Sequence, residues 1–271
     1  MDREPAVAGR FYPADPTRLA ADVALLLRER PDGAGEPATP RRAAGILSPH
    51  AGYVFSGAVA GATWGAVEVP DRVILICPNH TGYGAAASLW PDGVWHTPMG
   101  RVAVDRPLAS ALLASGLCTA DREAHLLEHA VEVQLPFLQA RHPGATIAAL
   151  CLSRLPFDRC EALGRAVAAA ARESGALVVA SSDMSHYLPA PVARARDRLA
   201  LEPLLALDAR GLHQVVVRER ISMCGFVPAT VMLVAARELG ATAASLVRYR
   251  TSGDVTGDDS SVVGYAGALI A

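Results

Sequence analysis

Aromatic residues make up only 5% of this 271-residue chain, and no stretch approaches the ~20 consecutive apolar residues that a membrane-spanning helix needs. The second shortage excludes a helical membrane span as an organising feature. Charge of one sign is also missing, with 25 basic residues against 27 acidic and a formal net charge of −2. The basic residues are scattered arginines, with no basic run interleaved with aromatics, so the electrostatic footprint of a nucleic-acid partner is absent. Cysteines are few: Cys77, Cys118, Cys151, Cys160 and Cys224. Their number is odd, no pair forms C-x-x-C, and no zinc-ribbon spacing occurs. The opening MDREPAVAGRFYPAD is charged early and lacks an apolar core of signal-peptide length. The expectation is a cytoplasmic, reduced setting without structural disulfides.

What is present is apolar bulk, 51% of the chain against 19% charged. A chain of this length hides roughly three quarters of its unfolded surface, and it reads as one domain over residues 1–271. Short runs rich in Val, Ile and Leu end in polar or glycine-bearing turns. AGIL at 44–47 leads into SPHAGY, RVILIC at 72–77 into PNHTGYG, IAALCL at 147–152 into SRLPFD, and LVVA at 177–180 into SSDMSHY. Such runs fit strands buried on both faces. Helical patterns lie between them. Asp15 caps a helix that starts at Pro16, Ser56 caps a small-residue helix, and Asp105 and Asp158 open two more. Alternating strand and helix predicts an α/β fold whose mostly parallel central sheet is flanked by helices. The segment 85–104 reads as an inserted hairpin with a PDG turn, and 31–42 (PDGAGEPATPRR) as a surface linker.

In open α/β sheets, ligands bind beyond the carboxyl ends of the strands. Three strand runs end in histidine-bearing turns: His50 after AGIL, His80 after RVILIC, and Asp183 with His186 after LVVA. A single such histidine reads as structural, whereas three in equivalent positions point to a shared site. Imidazole suits Fe, Cu, Zn and Ni. Two histidines, one anionic ligand and open positions make a catalytic rather than a structural metal site. Either Asp183 or Cys224 can supply the anion. Cys224, in ISMCGF just before a helix near Val227, reads equally as a ligand favoured by the helix N-terminus or as a small core residue.

SPHAGYVFSG, CPNHTGYG, EHAVEVQLPFLQ, SSDMSHY and SMCGFVPA resemble the Memo family, whose prokaryotic members are named as the B component of the AmmeMemoRadiSam system. The chain's opening and its closing RYRTSGDVTGDDSSVVGYAGALIA are similar to that family's ends. The resemblance implies a fold like that of the class III extradiol ring-cleaving dioxygenases. It also implies a metal pocket formed by His50, His80 and Cys224, with Asp183 and His186 lining it. His186 is then the acid/base group and Asp183 its orienting partner. The implied activity is a mononuclear metal-dependent oxidoreductase acting on a small molecule, with one divalent or redox-active ion (Fe(II), Cu or Zn). The system's name implies a radical-SAM protein and a second small protein as partners. Eukaryotic relatives are linked to phosphotyrosine-peptide recognition, which implies an alternative binding-module role; no arginine flanks the five pocket residues closely. The dioxygenases carry a carboxylate where this pocket has Cys224, and a thiolate favours softer metals.

Other signals have plainer readings. His125-Leu-Leu-Glu128-His129 fits H-x-x-E-H, and on a helix the two histidines would share a face. Pro136 follows closely, so a polar helix face is expected, with Glu128 or His129 at the pocket rim. His96, His142 and His213 read as surface residues, Cys77 as core, and GDVTGDDSS at 253–261 as a solvated loop without EF-hand spacing.

Overall fold

The computed structural model describes residues 2–29 and 39–271. Positions 31–38 of the expected linker lie outside the described residues. Among those described, the strands are β1 (Gly45–Ser48), β2 (Arg72–Pro78), β3 (Ala87–Leu89), β4 (Val94–Thr97), β5 (Gly100–Ala103), β6 (Thr119–Ala120), β7 (Thr146–Leu152), β8 (Leu177–Ser181), β9 (His186–Leu188), β10 (Ala244–Thr251) and β11 (Val262–Ile270). The helices are α1 (Pro16–Leu26), α2 (Tyr53–Ala66), α3 (Arg106–Ala114), α4 (Glu123–Leu126), α5 (Leu135–Arg141), α6 (Phe157–Ser174), α7 (Ala190–Leu205), α8 (Ala209–Arg218), α9 (Phe226–Glu238) and α10 (Gly253–Thr256). A 3₁₀ turn, Glu132–Gln134, leads into α5. No helix among these is long and apolar enough to cross a membrane.

The four apolar runs form the parallel centre of the sheet, in the order β1-β8-β2-β7. Their side chains are buried on both faces, except Arg72 and Thr146 where β2 and β7 begin, which is why they read as continuous apolar stretches. Antiparallel strands extend the centre, β11 and then β10 beside β1, and β3 beside β7. Helices cover both faces. Gly45 on β1 lies against Met232 of α9, whereas Gly267 on β11 lies against Thr63 of α2. Gly45 pairs with Ile270, three residues from Gly267, so by strand alternation the two glycines face opposite sides. Each lets a helix approach closer than a Cβ would allow.

Asp15 and Asp105 cap α1 and α3 as expected, accepting from Arg18 N at 2.8 Å and Leu108 N at 2.9 Å. Three local expectations differ. Asp158 does not open its helix, because α6 already begins at Phe157 and no side chain caps it. Ser56 is not a cap: α2 already begins at Tyr53, and the Ser56 hydroxyl donates to Ala51 O within the first turn. The PDG turn joins β3 to β4, which belong to different sheets. The hairpin is β4–β5, with Thr97 opposite Gly100 across Pro98 and Met99. Short apolar stretches do not state which neighbours they will pair with.

Candidate metal centre

Strands β1, β8 and β2 are adjacent and end nearly level, with Ser48 opposite Ser181 and Ile76 opposite Ala180. The chain leaving them delivers His50, Asp183 and His80 to one end of the sheet, as the turn pattern predicted. Cys224 arrives from the loop between α8 and α9. Gly225 packs so closely on Ser181 and Ser182 that no side chain fits there, and its N–H donates to Ser182 Oγ at 3.0 Å. That contact brings Cys224 Sγ to 3.2 Å from His50 Nε2. The His50 and His80 rings meet edge to face, centroids 5.2 Å apart. One ligand atom each from His50, His80 and Cys224 lies within 4.8 Å of the others.

Each imidazole is held from behind. His80 Nδ1 is 2.9 Å from Glu128 Oε1, and its backbone N–H donates to Glu128 Oε2 at 2.7 Å. His50 Nδ1 is 2.9 Å from Ser181 Oγ. With Nδ1 committed to an outer partner, Nε2 is the nitrogen left for a ligand, the usual arrangement around metal-bound histidine. Two imidazoles and a thiol form a borderline-soft donor set that suits Zn or Cu, with room for further ligands. The residues fit a metal ion.

Electrostatics around the cluster agree. Burial, and then the neighbouring His80, hold His50 well below the usual histidine range. Burial alone would lower His80 too, but the hydrogen bond and charge of Glu128 outweigh it and leave His80 raised. Burial opposes ionisation of Glu128, yet the bond from His80 and the charges of His80 and His129 bring it down to about 2. For Cys224 the helix N-terminus does not prevail: burial, and then the Asp183 carboxylate, push the thiol well up. A thiolate here needs a bound cation, which deprotonates a coordinating thiol outright.

Asp183 bonds to the His50 turn and not to the His186 ring. The buried Asp183 carboxylate accepts from His50 N at 2.8 Å, so it braces the turn that carries His50. Burial raises Asp183, against the pull of that bond. The His186 ring is held by Ser222 instead: Nδ1–H donates to Ser222 O at 2.9 Å, and the backbone N–H donates to Ser222 Oγ at 2.8 Å. Its Nε2 is left half-exposed beside Tyr187, an exposed residue with φ of 58°. A bulky residue held in that region is strained, as is common at functional sites.

The H-x-x-E-H segment does not form one helix, because α4 ends at Leu126. His125 turns into the core between Trp90 and Trp95, each ring centroid 5.9 Å away. His129 turns to the centre, stacked on His80 at 4.8 Å and against His50 at 5.4 Å. Burial, and then His50, bring His129 down to about 4. Glu128 and His129 thus stand within the centre rather than at its rim. Ser181, Gln134 and Ser222 also serve it. All three lie inside or beside quoted motifs, but a serine at a strand end carries no chemical signature of its own. His96 and His142 are half-exposed beside Asp2 and Asp71. His213 is packed between Phe157 and Phe226. Cys77 is core, and all five cysteines are free thiols.

The family model for Memo-like proteins matches residues 3–269. A MEMO1 family protein of Methanothermobacter thermautotrophicus is 41% identical, the match covering 98% of this chain and 99% of that one. MEMO1 family proteins of Methanopyrus kandleri and Aquifex aeolicus are each 40% identical, with 98% of both chains covered. The crystal structure of an uncharacterized protein from Escherichia coli K12 is similar in fold, with a TM-score of 0.59 at 16% identity over 84% of this chain and 100% of that one.

Proposed function

The chain belongs to the Memo-like protein family, and from that premise we propose that it holds one metal ion between His50, His80 and Cys224 and uses it as an oxidoreductase on a small molecule. The observation that carries this reading is the convergence of one ligand atom from each of two imidazoles and one thiol. Each imidazole has its Nδ1 committed elsewhere.

The bound ion (Fe(II), Cu or Zn) would supply Lewis acidity or electron transfer. Cys224 in place of a carboxylate biases the set toward Cu and Zn. The protein's residues do the rest. Glu128 and Ser181 keep the two rings facing inward, and Asp183 keeps the His50 turn in place. His186 gives its Nδ1–H to Ser222, so Nε2 is free to take a proton from a substrate hydroxyl. Metal analysis of untagged protein, prepared without chelators, should find about one metal per chain. The double change His50→Ala with His80→Ala should remove it while the far-ultraviolet dichroism is kept. Equal metal content in both proteins would refute the centre.

A further inference from the structure

Behind His50 lies a chain of buried hydrogen bonds whose proton positions can be worked out one by one. The Trp64 indole N–H can only donate, and the atom facing it at 2.9 Å is Gln134 Oε1. The Pro49 carbonyl can only accept, and the atom facing it at 2.9 Å is Gln134 Nε2. The two contacts agree on how the amide is turned, so its NH₂ also donates to Ser181 Oγ at 3.0 Å. Ser181 has one proton and two lone pairs. The amide occupies one lone pair. The proton goes to Ala130 O, 2.7 Å away, another group that can only accept. What remains toward His50 Nδ1, at 2.9 Å, is a lone pair. The neutral ring must therefore carry its proton on Nδ1, which leaves the lone pair on Nε2, the nitrogen 3.2 Å from Cys224 Sγ.

We infer that Ser181 is a positioning residue that locks His50 in its Nδ1–H tautomer, and that Gln134, oriented by Trp64, holds the Ser181 hydroxyl to an acceptor's role toward the ring. The inference deepens the metal-centre reading and rests on it for its purpose. All four side chains are almost wholly buried (Trp64 and Gln134 0%, Ser181 1%, His50 2% exposed), so water cannot stand in for a missing partner. The device sets the centre's readiness before any metal arrives. A free imidazole places its proton on Nε2 in much of its population, and that proton would block the ligand atom. The two histidines are held by different means: His80 uses the carboxylate of Glu128, whereas His50 uses a hydroxyl whose direction is set three residues away in the bonding chain.

The experiment is long-range ¹⁵N–¹H correlation of the imidazoles in the metal-free protein, together with Zn(II) affinity by competition titration. Wild type should show His50 with Nδ1 protonated and Nε2 bare. Ser181→Ala should give a mixture of His50 tautomers and lower Zn(II) affinity by about 10–100-fold, the range for outer partners of metal-bound histidine. Ser181→Thr, which keeps the hydroxyl, should restore both. Gln134→Leu should give a smaller shift in the same direction, because the freed hydroxyl can then turn its proton to the ring. His80 is the internal control and should keep its signature throughout. A wild-type His50 with its proton on Nε2, or an unchanged tautomer in Ser181→Ala, would overturn the inference. If wild type bound no Zn(II), the metal reading would fall, while the tautomer of the metal-free protein would still decide this one.

Discussion

The stretch 125–134 serves two buried polar clusters that are built in opposite ways. On one side Arg3, fully buried, forms an ion pair with the fully buried Glu132 and donates to His125 O at 3.1 Å and Glu128 O at 2.6 Å. Glu132 in turn accepts from Ala6 N, Val7 N and the Tyr12 hydroxyl. This knot is closed: the charges match, and both carboxylate oxygens are used. It ties the N-terminal segment to the stretch that carries Glu128, His129 and Gln134. On the other side, His50, His80 and Cys224 have their outer atoms satisfied and their inner atoms aimed at one another. A saturated cluster holds a structure together, whereas one with lone pairs left facing a common point is available for a ligand.

Breaking the closed knot should have the largest effect. Glu132→Ala would leave the Arg3 guanidinium buried without its counter-charge and three donors without an acceptor. The expected loss is about 3–5 kcal/mol, or about 10 °C in Tm for a chain of this size. Replacing both partners, Arg3→Met with Glu132→Leu, should cost clearly less, because no charge is then stranded. Thermal melts of the three proteins check it. A loss below about 1 kcal/mol for Glu132→Ala would mean that the two clusters do not differ in this way.

His125, whose carbonyl accepts from Arg3 and whose ring lies between Trp90 and Trp95, gives the next effect. Burial brings its pKa from 6.5 down to about 4, against the opposing pull of Asp121 and the Ser88 backbone. The folded state therefore keeps the ring neutral where the unfolded chain already takes up a proton. Stability from this group is present in full above about pH 6.5, is lost as pH falls, and is gone below about 4. The span corresponds to about 3 kcal/mol. Urea midpoints measured between pH 7 and 4 should fall for wild type and fall less for His125→Leu. Parallel curves would assign the acid sensitivity to other groups.

The open cluster should matter least for folding. Cys224→Ala removes a half-buried thiol that makes only weak contacts, so the metal-free protein should change by less than about 1 kcal/mol. Its Zn(II) affinity should fall by more than the 10–100-fold typical of outer partners. A large loss of metal-free stability with unchanged Zn(II) affinity would turn Cys224 back into the core residue that its position also allows.

The fold, and the gathering of His50, His80 and Asp183 at one end of the sheet, were largely legible in the sequence. AGIL, RVILIC, IAALCL and LVVA became β1, β2, β7 and β8, because runs that apolar can only be buried on both faces. His50, His80 and Asp183 follow those runs directly, so any packing that aligns the strand ends brings them together. The H-x-x-E-H spacing misled, because it fits a helix that the chain abandons at Leu126. Ser56 misled in the same way, since a hydroxyl can cap a helix or bond back within its first turn.

What the sequence determined by itself was local: buried strands, capped helices, and the residue types able to hold a metal. What only the tertiary structure decided was which partner each of those residues faces. Ser181 meets Ala130, Gln134 and His50 from 51, 47 and 131 residues away in the chain. Two of the acceptors in that network, Ala130 O and Pro49 O, are backbone carbonyls that every residue possesses. The tautomer of His50 depends on those encounters. A hydrogen bond between distant groups is a property of their meeting, and no residue type announces it in advance.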